Sequence, residues 1–318
     1  MPPCFLGDGA SLELRITLCL LHLATDTLKP PMALIHSTRV TLDMIKWEHS
    51  IFALPFALAG AMLAAGGVPT VWQLTWIVVA MVAARSAAMA FNRVIDLEYD
   101  AANPRTRMRA LPAGLLTQRF VIAFVIVSSL VFIFAAAQLN RLCLYLSPVA
   151  LAILLLYSYT KRFTRWSHLV LGFADAIPPA AAWIAVRGTL DWQILPLVGA
   201  VTFWVGGFDV LYACQDYDFD RQIGLHSIPR HLGIRKALIV AQLSHVVTVG
   251  FLAWTSYLFG LGVLGWIAVL VFAALLAYEH SLVKHDDLSK LDAAFFTTNG
   301  FVSVLYFLFI AAAVLVKR

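Results

Sequence analysis

Charge is scarce in this chain. Of 318 residues only 13% are Asp, Glu, Lys or Arg, 61% are hydrophobic, and the mean hydropathy is +0.83. That is more apolar surface than one soluble core can hide, which excludes a soluble enzyme. Cysteine is scarce as well. Cys4, Cys19, Cys143 and Cys214 lie far apart with no CxxC spacing, so neither a disulfide framework nor a zinc site is supported. Aromatics at 12% exclude a disordered chain. No helix-turn-helix or RNA-binding signature accompanies the net charge of +5, and no internal repeat or low-complexity segment is present. The lipid-outward alternation of a membrane barrel is also missing.

What remains is a series of apolar windows of roughly 17 to 25 residues, the length a helix needs to cross a bilayer. Nine are predicted, at 47 to 66, 72 to 95, 119 to 138, 142 to 160, 167 to 186, 192 to 213, 236 to 258, 261 to 281 and 295 to 315. The expected fold is an all-α integral membrane bundle, because lipid offers no partner to an open backbone. The loops after spans two, four, six and eight carry Arg105, Arg107, Arg109, Arg119, Lys161, Arg162, Arg165, Arg221, Arg230, Arg235, Lys236, Lys284 and Lys290. The opposite loops hold little beyond Arg141 and Arg187, with Lys317 and Arg318 at the end. The positive-inside rule then sets the N-terminus in the cytoplasm and the C-terminus outside, in the inner membrane if the source is bacterial.

Residues 1–40 do not fit this scheme. The apolar run from Ile16 to Ala24 is too short to span, and Met-Pro-Pro is a poor start for a signal peptide. The segment reads as a loosely ordered extension, with Met32 and Met44 as alternative starts, ahead of a single transmembrane domain over 41–318.

Acidic residues in a membrane protein are costly and tend to be functional, and here they cluster at two predicted helix ends. In FNRVIDLEYD, Asn92, Asp96 and Asp100 fall at about 0°, 40° and 80° around a helix, with Arg85 about 20° away on the same face. In DVLYACQDYDFD, Asp209, Tyr212, Asp216 and Asp220 fall at about 0°, 300°, 340° and 20°, while Asp218 points away. Two carboxylate stripes without His or Cys suit a hard cation, and Mg²⁺ typically takes a few carboxylates together with substrate phosphate oxygens. Helix-end capping explains one such cluster more easily than two. Arg105, Arg107 and Arg109 follow the first stripe, and Tyr157 and Lys161 end span four. Cations beside metal-bound carboxylates make sense where both grip one polyanion.

These residues resemble the signatures of the UbiA superfamily of membrane aromatic prenyltransferases, NxxxDxxxD and DxxYAxxDxxxD. The first is met by Asn92, Asp96 and Asp100, the second by Asp209, Tyr212, Ala213, Asp216 and Asp220. Tyr157 and Lys161 match its YxxxK element, and Arg109-Ala110-Leu111-Pro112-Ala113-Gly114 matches its basic R-x-L-P-x-G turn. The resemblance runs from about Lys46 to the C-terminus. One departure is Arg93, where many members carry Asp, leaving one carboxylate fewer in the first set.

The resemblance implies nine helices around a central cavity, like the isoprenoid synthases, with Mg²⁺ held by Asn92, Asp96, Asp100, Asp209, Asp216 and Asp220. Of these, the five aspartates would be catalytic. Lys161 and Arg109 would bind a polyprenyl diphosphate, whose loss of diphosphate leaves an allylic cation for an aromatic ring to attack. For the acceptor, the branch using 4-hydroxybenzoate in ubiquinone synthesis is matched by Arg85, seven residues before Asn92, and by Lys161-Arg162-Phe163-Thr164. The stretch from Ile45 to Phe56, with Glu48 and His49, looks instead like the naphthoate branch of menaquinone synthesis through futalosine. Both acceptors carry a carboxylate, for which Arg85 and Arg162 are the candidate partners; pairing of Arg85 with an Asp is the alternative. Glu48 and His49 either orient the acceptor or anchor the interface beside Trp47. A cation transporter is the competing function of another class, but it would place polar groups on both sides of the midplane, and here they crowd one end.

Overall fold

The computed structural model describes residues 39–45, 50–291 and 298–317. It is helical almost throughout, and among the described residues the only β pairing is an isolated bridge between Lys284 and Asp287. The chain is an all-α, multi-pass integral membrane protein. After a helical stretch at 39–45 the helices run α1 (Ser50–Ala65), α2 (Val71–Ile95), α3 (Leu97–Ala102), α4 (Gln118–Leu139), α5 (Arg141–Leu156), α6 (Ser167–Asp175), α7 (Ile177–Arg187) and α8 (Leu195–Ala213). They continue as α9 (Tyr217–Ile223), α10 (Ile228–Leu232), α11 (Ile234–Leu258), α12 (Gly262–Leu282) and α13 (Asn299–Val316).

Eight helical segments among the described residues are long and apolar enough to cross a membrane. The ninth expected span, the first in order, is the shorter apolar helix α1, of 16 residues with Pro55 inside it. The extension at 1–38, and Glu48 and His49, lie outside the described residues.

Local chemistry sets the ends of these helices. Thr70 and Gln73 form a reciprocal capping box at the start of α2, Thr70 Oγ1 accepting from Gln73 N at 3.2 Å and Gln73 Oε1 from Thr70 N at 3.1 Å. Pro178 and Pro179 open α7, where a missing N–H costs nothing, and this breaks one membrane span at Ala176. α9 ends at Gly224, whose φ of +91° is open to glycine at no steric cost.

Lipid gives helices no hydrophobic reason to associate, so they associate through close packing. α2 lies against α4, α8 against α6 and α11, α1 against α7 and α13, and α13 against α12. Two glycines set the closest approaches. A Cβ on Gly60 would lie 2.5 Å from the Pro179 carbonyl oxygen, and one on Gly172 would collide with the Thr202 carbonyl across α6 and α8. Phe56, Trp204, Phe272 and Tyr306 interlock with ring centroids 5.1 to 6.4 Å apart, a buried aromatic block within the bundle. Phe52 and Phe208 stand between that block and a cavity on its other side.

Candidate functional site

The cavity has a volume of about 980 Å³. Phe132, Leu139, Leu146, Ile153 and Phe208 line its apolar walls, while one end is crowded with polar side chains. Both acidic stripes reach it. Helical spacing predicts each as one continuous helix, but each stripe is bent where it meets the cavity. α2 stops at Ile95 and α3 restarts at Leu97, with Asp96 at the joint (φ −92°, ψ +10°). α8 passes through a 3₁₀ turn at Cys214–Asp216 before α9, with Asp216 at the second joint (φ −97°, ψ +10°). Asp209 and Asp220 line the same space, whereas Asp218 is exposed and outside it.

Each carboxylate has its own company. Asp96 accepts from Asn92 Nδ2 at 2.8 Å and lies 3.7 Å from Arg162 Nη2. Burial pushes its carboxyl above the ordinary range, and the charges of Lys161, Arg162 and Arg93 pull it back. Arg162 also donates to the Ile95 carbonyl at 2.7 Å and lies over the rings of Tyr99 and Tyr159 at 5.1 and 5.2 Å. Asp100 accepts from Arg109 Nη1 at 2.6 Å and faces Arg93 at 3.6 Å, so Arg93 adds a buried cation where a further carboxylate was wanting.

Asp216 is clasped by both nitrogens of the Arg105 fork, at 3.0 and 2.5 Å, and by Asn103 Nδ2 at 3.0 Å. The third arm of Arg105 reaches the Tyr212 hydroxyl at 2.9 Å. Burial works against the Arg105 charge, but Asp216 and Tyr212 hold it more firmly charged than a free arginine. Asp209 is bonded at 2.6 Å to Nδ1 of His168, a side chain with no exposure. Ile228 N–H donates to His168 Nε2 at 3.3 Å, which leaves Nδ1 as the nitrogen carrying hydrogen toward Asp209. Lys161 has Asp209, Asp220, Asp216 and Asp96 as its charged neighbours and pairs within 4 Å with none of them among the described residues. Its carbonyl accepts from His226 N at 2.7 Å, tying the loop after α9 to this corner.

Deeper in the cavity lies Arg85, seven residues and so two turns, about 10 Å, below Asn92 on α2. Its Nη1 is 3.9 Å from Asp175 Oδ1, and its buried Nε has no hydrogen-bond partner among the described residues. Tyr157 and Asp175 line the same region.

Among the described residues no three His, Cys, Asp or Glu side chains stand together as a ready cage for a metal. The oxygen-rich donor set still fits a hard cation, because Mg²⁺ is usually held by one or two carboxylates and completed by substrate phosphates. Asp100 Oδ2 and Asp220 Oδ2 are buried without a hydrogen bond among the described residues, which is a reason for such a cation to be wanted there.

Sequence reasoning did not single out Asn103, His168 or Asp175, and it read Arg105 only as one of a basic run. His168 and Asp175 carried a usable signal, since each is an ionisable residue inside an apolar span.

The UbiA prenyltransferase family matches this chain over residues 53–314. A 4-hydroxybenzoate octaprenyltransferase of Hydrogenovibrio crunogenus is 33% identical over 241 residues, covering 75% of this chain and 84% of that protein. That of Tolumonas auensis is 32% identical over 249 residues, covering 77% and 85%. The apo structure of a UbiA homolog from Aeropyrum pernix K1 superposes with a TM-score of 0.76 at 33% identity, covering 85% of this chain and 98% of that one. A UbiA homolog from Archaeoglobus fulgidus bound to GPP and Mg²⁺ has the same fold, with a TM-score of 0.65 at 18% identity over 86% and 99% of the two chains.

Proposed function

This chain belongs to the UbiA prenyltransferase family, and from that premise we propose that it transfers a polyprenyl group from a Mg²⁺-bound prenyl diphosphate to a carboxylated aromatic ring in quinone biosynthesis, with 4-hydroxybenzoate as acceptor. The observation that carries this reading is the division of one cavity into two polar levels. At its end, acidic residues and Lys161 surround a space fit for a diphosphate; about two helical turns deeper, Arg85 waits beside an apolar wall.

Mg²⁺ held by Asn92, Asp96, Asp100, Asp209, Asp216 and Asp220 would neutralise charge building on the departing diphosphate. The protein's own groups do the rest. Lys161, among carboxylates but paired with none, supplies a free ammonium to the diphosphate. Arg109 exchanges part of its hold on Asp100 for the same anion. His168 fixes the orientation of Asp209, and Arg105 joins Asp216 to Tyr212 so that the two stripes face each other across the anion. The apolar walls take the prenyl tail and keep water from the allylic cation. Arg85 pairs with the acceptor carboxylate through the Nε edge that lacks a partner.

Support for 4-hydroxybenzoate comes from relatives bearing that name at about one-third identity. A naphthoate is the second acceptor, favoured by the segment around Glu48 and His49. The basic loops support a cytoplasmic location for the polar end of the cavity, with the C-terminus outside.

The test is incubation of membranes containing the protein with a prenyl diphosphate, Mg²⁺ and, in parallel, 4-hydroxybenzoate, naphthoates and homogentisate, with products identified by mass spectrometry. Prenylated 4-hydroxybenzoate, lost on chelation of Mg²⁺, is expected. A prenylated naphthoate alone would move the protein to the menaquinone branch, and cation flux without any prenylated product would restore the transporter.

A further inference from the structure

Among the described residues six aspartates line the cavity, and five have an evident partner. Asp96 has Asn92, Asp100 has Arg109, Asp209 has His168, Asp216 has Arg105, and Asp220 has Ser227 beside it. Asp175 is the exception. Its side chain is 25% exposed, toward the cavity, and among the described residues it accepts no hydrogen bond; Arg85 at 3.9 Å neutralises it from beyond bonding distance. A carboxylate kept within a membrane span is costly, and one kept without a hydrogen bond has its acceptor capacity held open.

Its depth says what that capacity is for. Asp175 closes α6, seven residues after His168, whose ring marks the level of Asp209. Two turns of helix therefore separate Asp175 from the diphosphate level, about 10 Å along the cavity, the same descent that separates Arg85 from Asn92. Asp175 is thus too deep to serve a diphosphate, which its charge would in any case repel. It stands instead where an aromatic acid bound by Arg85 presents its ring.

We propose that Asp175 is the base that removes the proton from the acceptor ring, an inference that rests on the aromatic-acceptor reading above. The C1–O bond of the prenyl diphosphate breaks and both electrons leave on the diphosphate. A ring π pair forms the new bond from ring carbon to C1. The C–H bond at that ring carbon then breaks, its electrons restore the aromatic ring, and its proton passes to a carboxylate oxygen of Asp175. Arg85, at 3.9 Å, offsets the charge of that carboxylate without occupying its oxygens, and the proton returns to water between turnovers.

The experiment compares wild type, Asp175→Asn and Asp175→Glu in membranes, using 4-hydroxybenzoate that carries either hydrogen or deuterium at both positions ortho to the hydroxyl. Asn keeps the size and polarity of Asp175 but accepts no proton. Its kcat is expected to fall ~100-fold or more, the scale of general-base catalysis, with KM for the prenyl diphosphate unchanged. The telling readout is isotopic. Proton loss follows the slower bond cleavage in wild type, which shows no ring-deuterium effect on kcat, whereas Asp175→Asn shows a primary one. Asp175→Glu, which retains a carboxylate, recovers part of the rate and loses the isotope effect.

Failure of wild type to prenylate 4-hydroxybenzoate would overturn the acceptor reading, and this inference with it. Wild-type turnover accompanied by an Asp175→Asn variant of equal rate, or a slow one with no isotope effect, would overturn this inference alone. So would an Asp175→Glu variant as slow as Asp175→Asn.

Discussion

Arg105 and Asp216 meet across the mouth of the cavity although 111 residues separate them, both guanidinium nitrogens of the fork engaging both carboxylate oxygens, with Nη2 to Oδ2 at 2.5 Å. One comes from the loop that follows the first acidic stripe, the other from the break inside the second, so this pair sets the distance between the stripes. At 31% exposure of the Arg105 side chain, water screens the pair, and its value lies more in geometry than in stability.

Removing the fork should accordingly impair function more than folding. Arg105→Ala is expected to lower kcat/KM for the prenyl diphosphate ~10-fold or more, the scale of a lost charge-assisted hydrogen bond. Arg105→Lys should recover little of it, because a single ammonium cannot reproduce two parallel bonds and a third to Tyr212. Steady-state kinetics on the three enzymes, with thermal stability measured alongside, checks both halves.

The carboxylates themselves should divide by position. Asp96→Ala, Asp216→Ala and Asp220→Ala are each expected to reduce prenyl transfer ~100-fold or more while the protein still inserts and folds, since each borders the site proposed for metal and diphosphate. Asp218→Ala should stay within a few-fold of wild type, because Asp218 is exposed and outside the cavity. Equal loss at Asp218 and Asp216, measured as product per minute, would defeat the assignment of the second stripe.

These stripes were legible because a spacing of four residues puts Asn92, Asp96 and Asp100 near one face whatever the surrounding fold, and the same holds for Asp216 and Asp220. The bends at Asp96 and at Cys214–Asp216 were not legible: nothing in FNRVIDLEYD or DVLYACQDYDFD is a helix breaker, and the turns depend on what the acids meet across the cavity. His168 and Asp175 were hidden for another reason. A lone polar residue in an apolar span announces a cost but not a partner, and the partner becomes known only when α6 is laid on α8 and beside α2. The nine expected spans came close to the folded arrangement, with the deviation at α1, where Pro55 lies inside a helix of only 16 residues.

The approach of α6 to α8 gives a prediction about stability. Gly172→Ala would drive a Cβ into the Thr202 carbonyl, which is backbone and cannot rotate away. The helices must separate, at a cost of ~1–3 kcal/mol. A lower melting temperature in detergent is expected, together with weakened activity, since the same approach brings His168 to Asp209. Gly250→Ala, whose added Cβ meets nothing within 4 Å, is the matched control and should melt no lower than wild type.

The basic residues at the diphosphate level should act on the donor. Lys161→Ala and Arg109→Ala are each expected to raise KM for the prenyl diphosphate ~10-fold, as loss of a charged hydrogen bond would, with acceptor KM changing less. Lys161→Ala should cost more than Arg109→Ala, because Arg109 already spends one arm on Asp100. Normal donor kinetics in both variants would return these residues to the role of simple loop charges.

The acceptor end turns on Arg85. A guanidinium within a membrane span, 13% exposed and with Nε unbonded among the described residues, has among them Asp175 at 3.9 Å as its one carboxylate partner, so an aromatic carboxylate entering the cavity gains a partner and gives one. Exchanging the acceptor acid for its neutral amide should therefore cost wild type ~100-fold in kcat/KM, in line with the loss of a buried charged hydrogen bond. In Arg85→Ala the charge being matched is gone, and acid and amide should be used at similar, low rates. Arg162 offers the contrasting case. It is held by the Ile95 carbonyl, by Asp96 and by two tyrosine rings near the diphosphate level, which leaves it little freedom to reach a ring acid below. Arg162→Ala should keep the full preference for acid over amide while losing rate through the disturbed Asp96. Kinetics of the three enzymes on both acceptors decide the matter: equal discrimination in all three would remove Arg85 from the acceptor pocket, and loss of discrimination in Arg162→Ala alone would transfer the carboxylate to the upper level of the cavity.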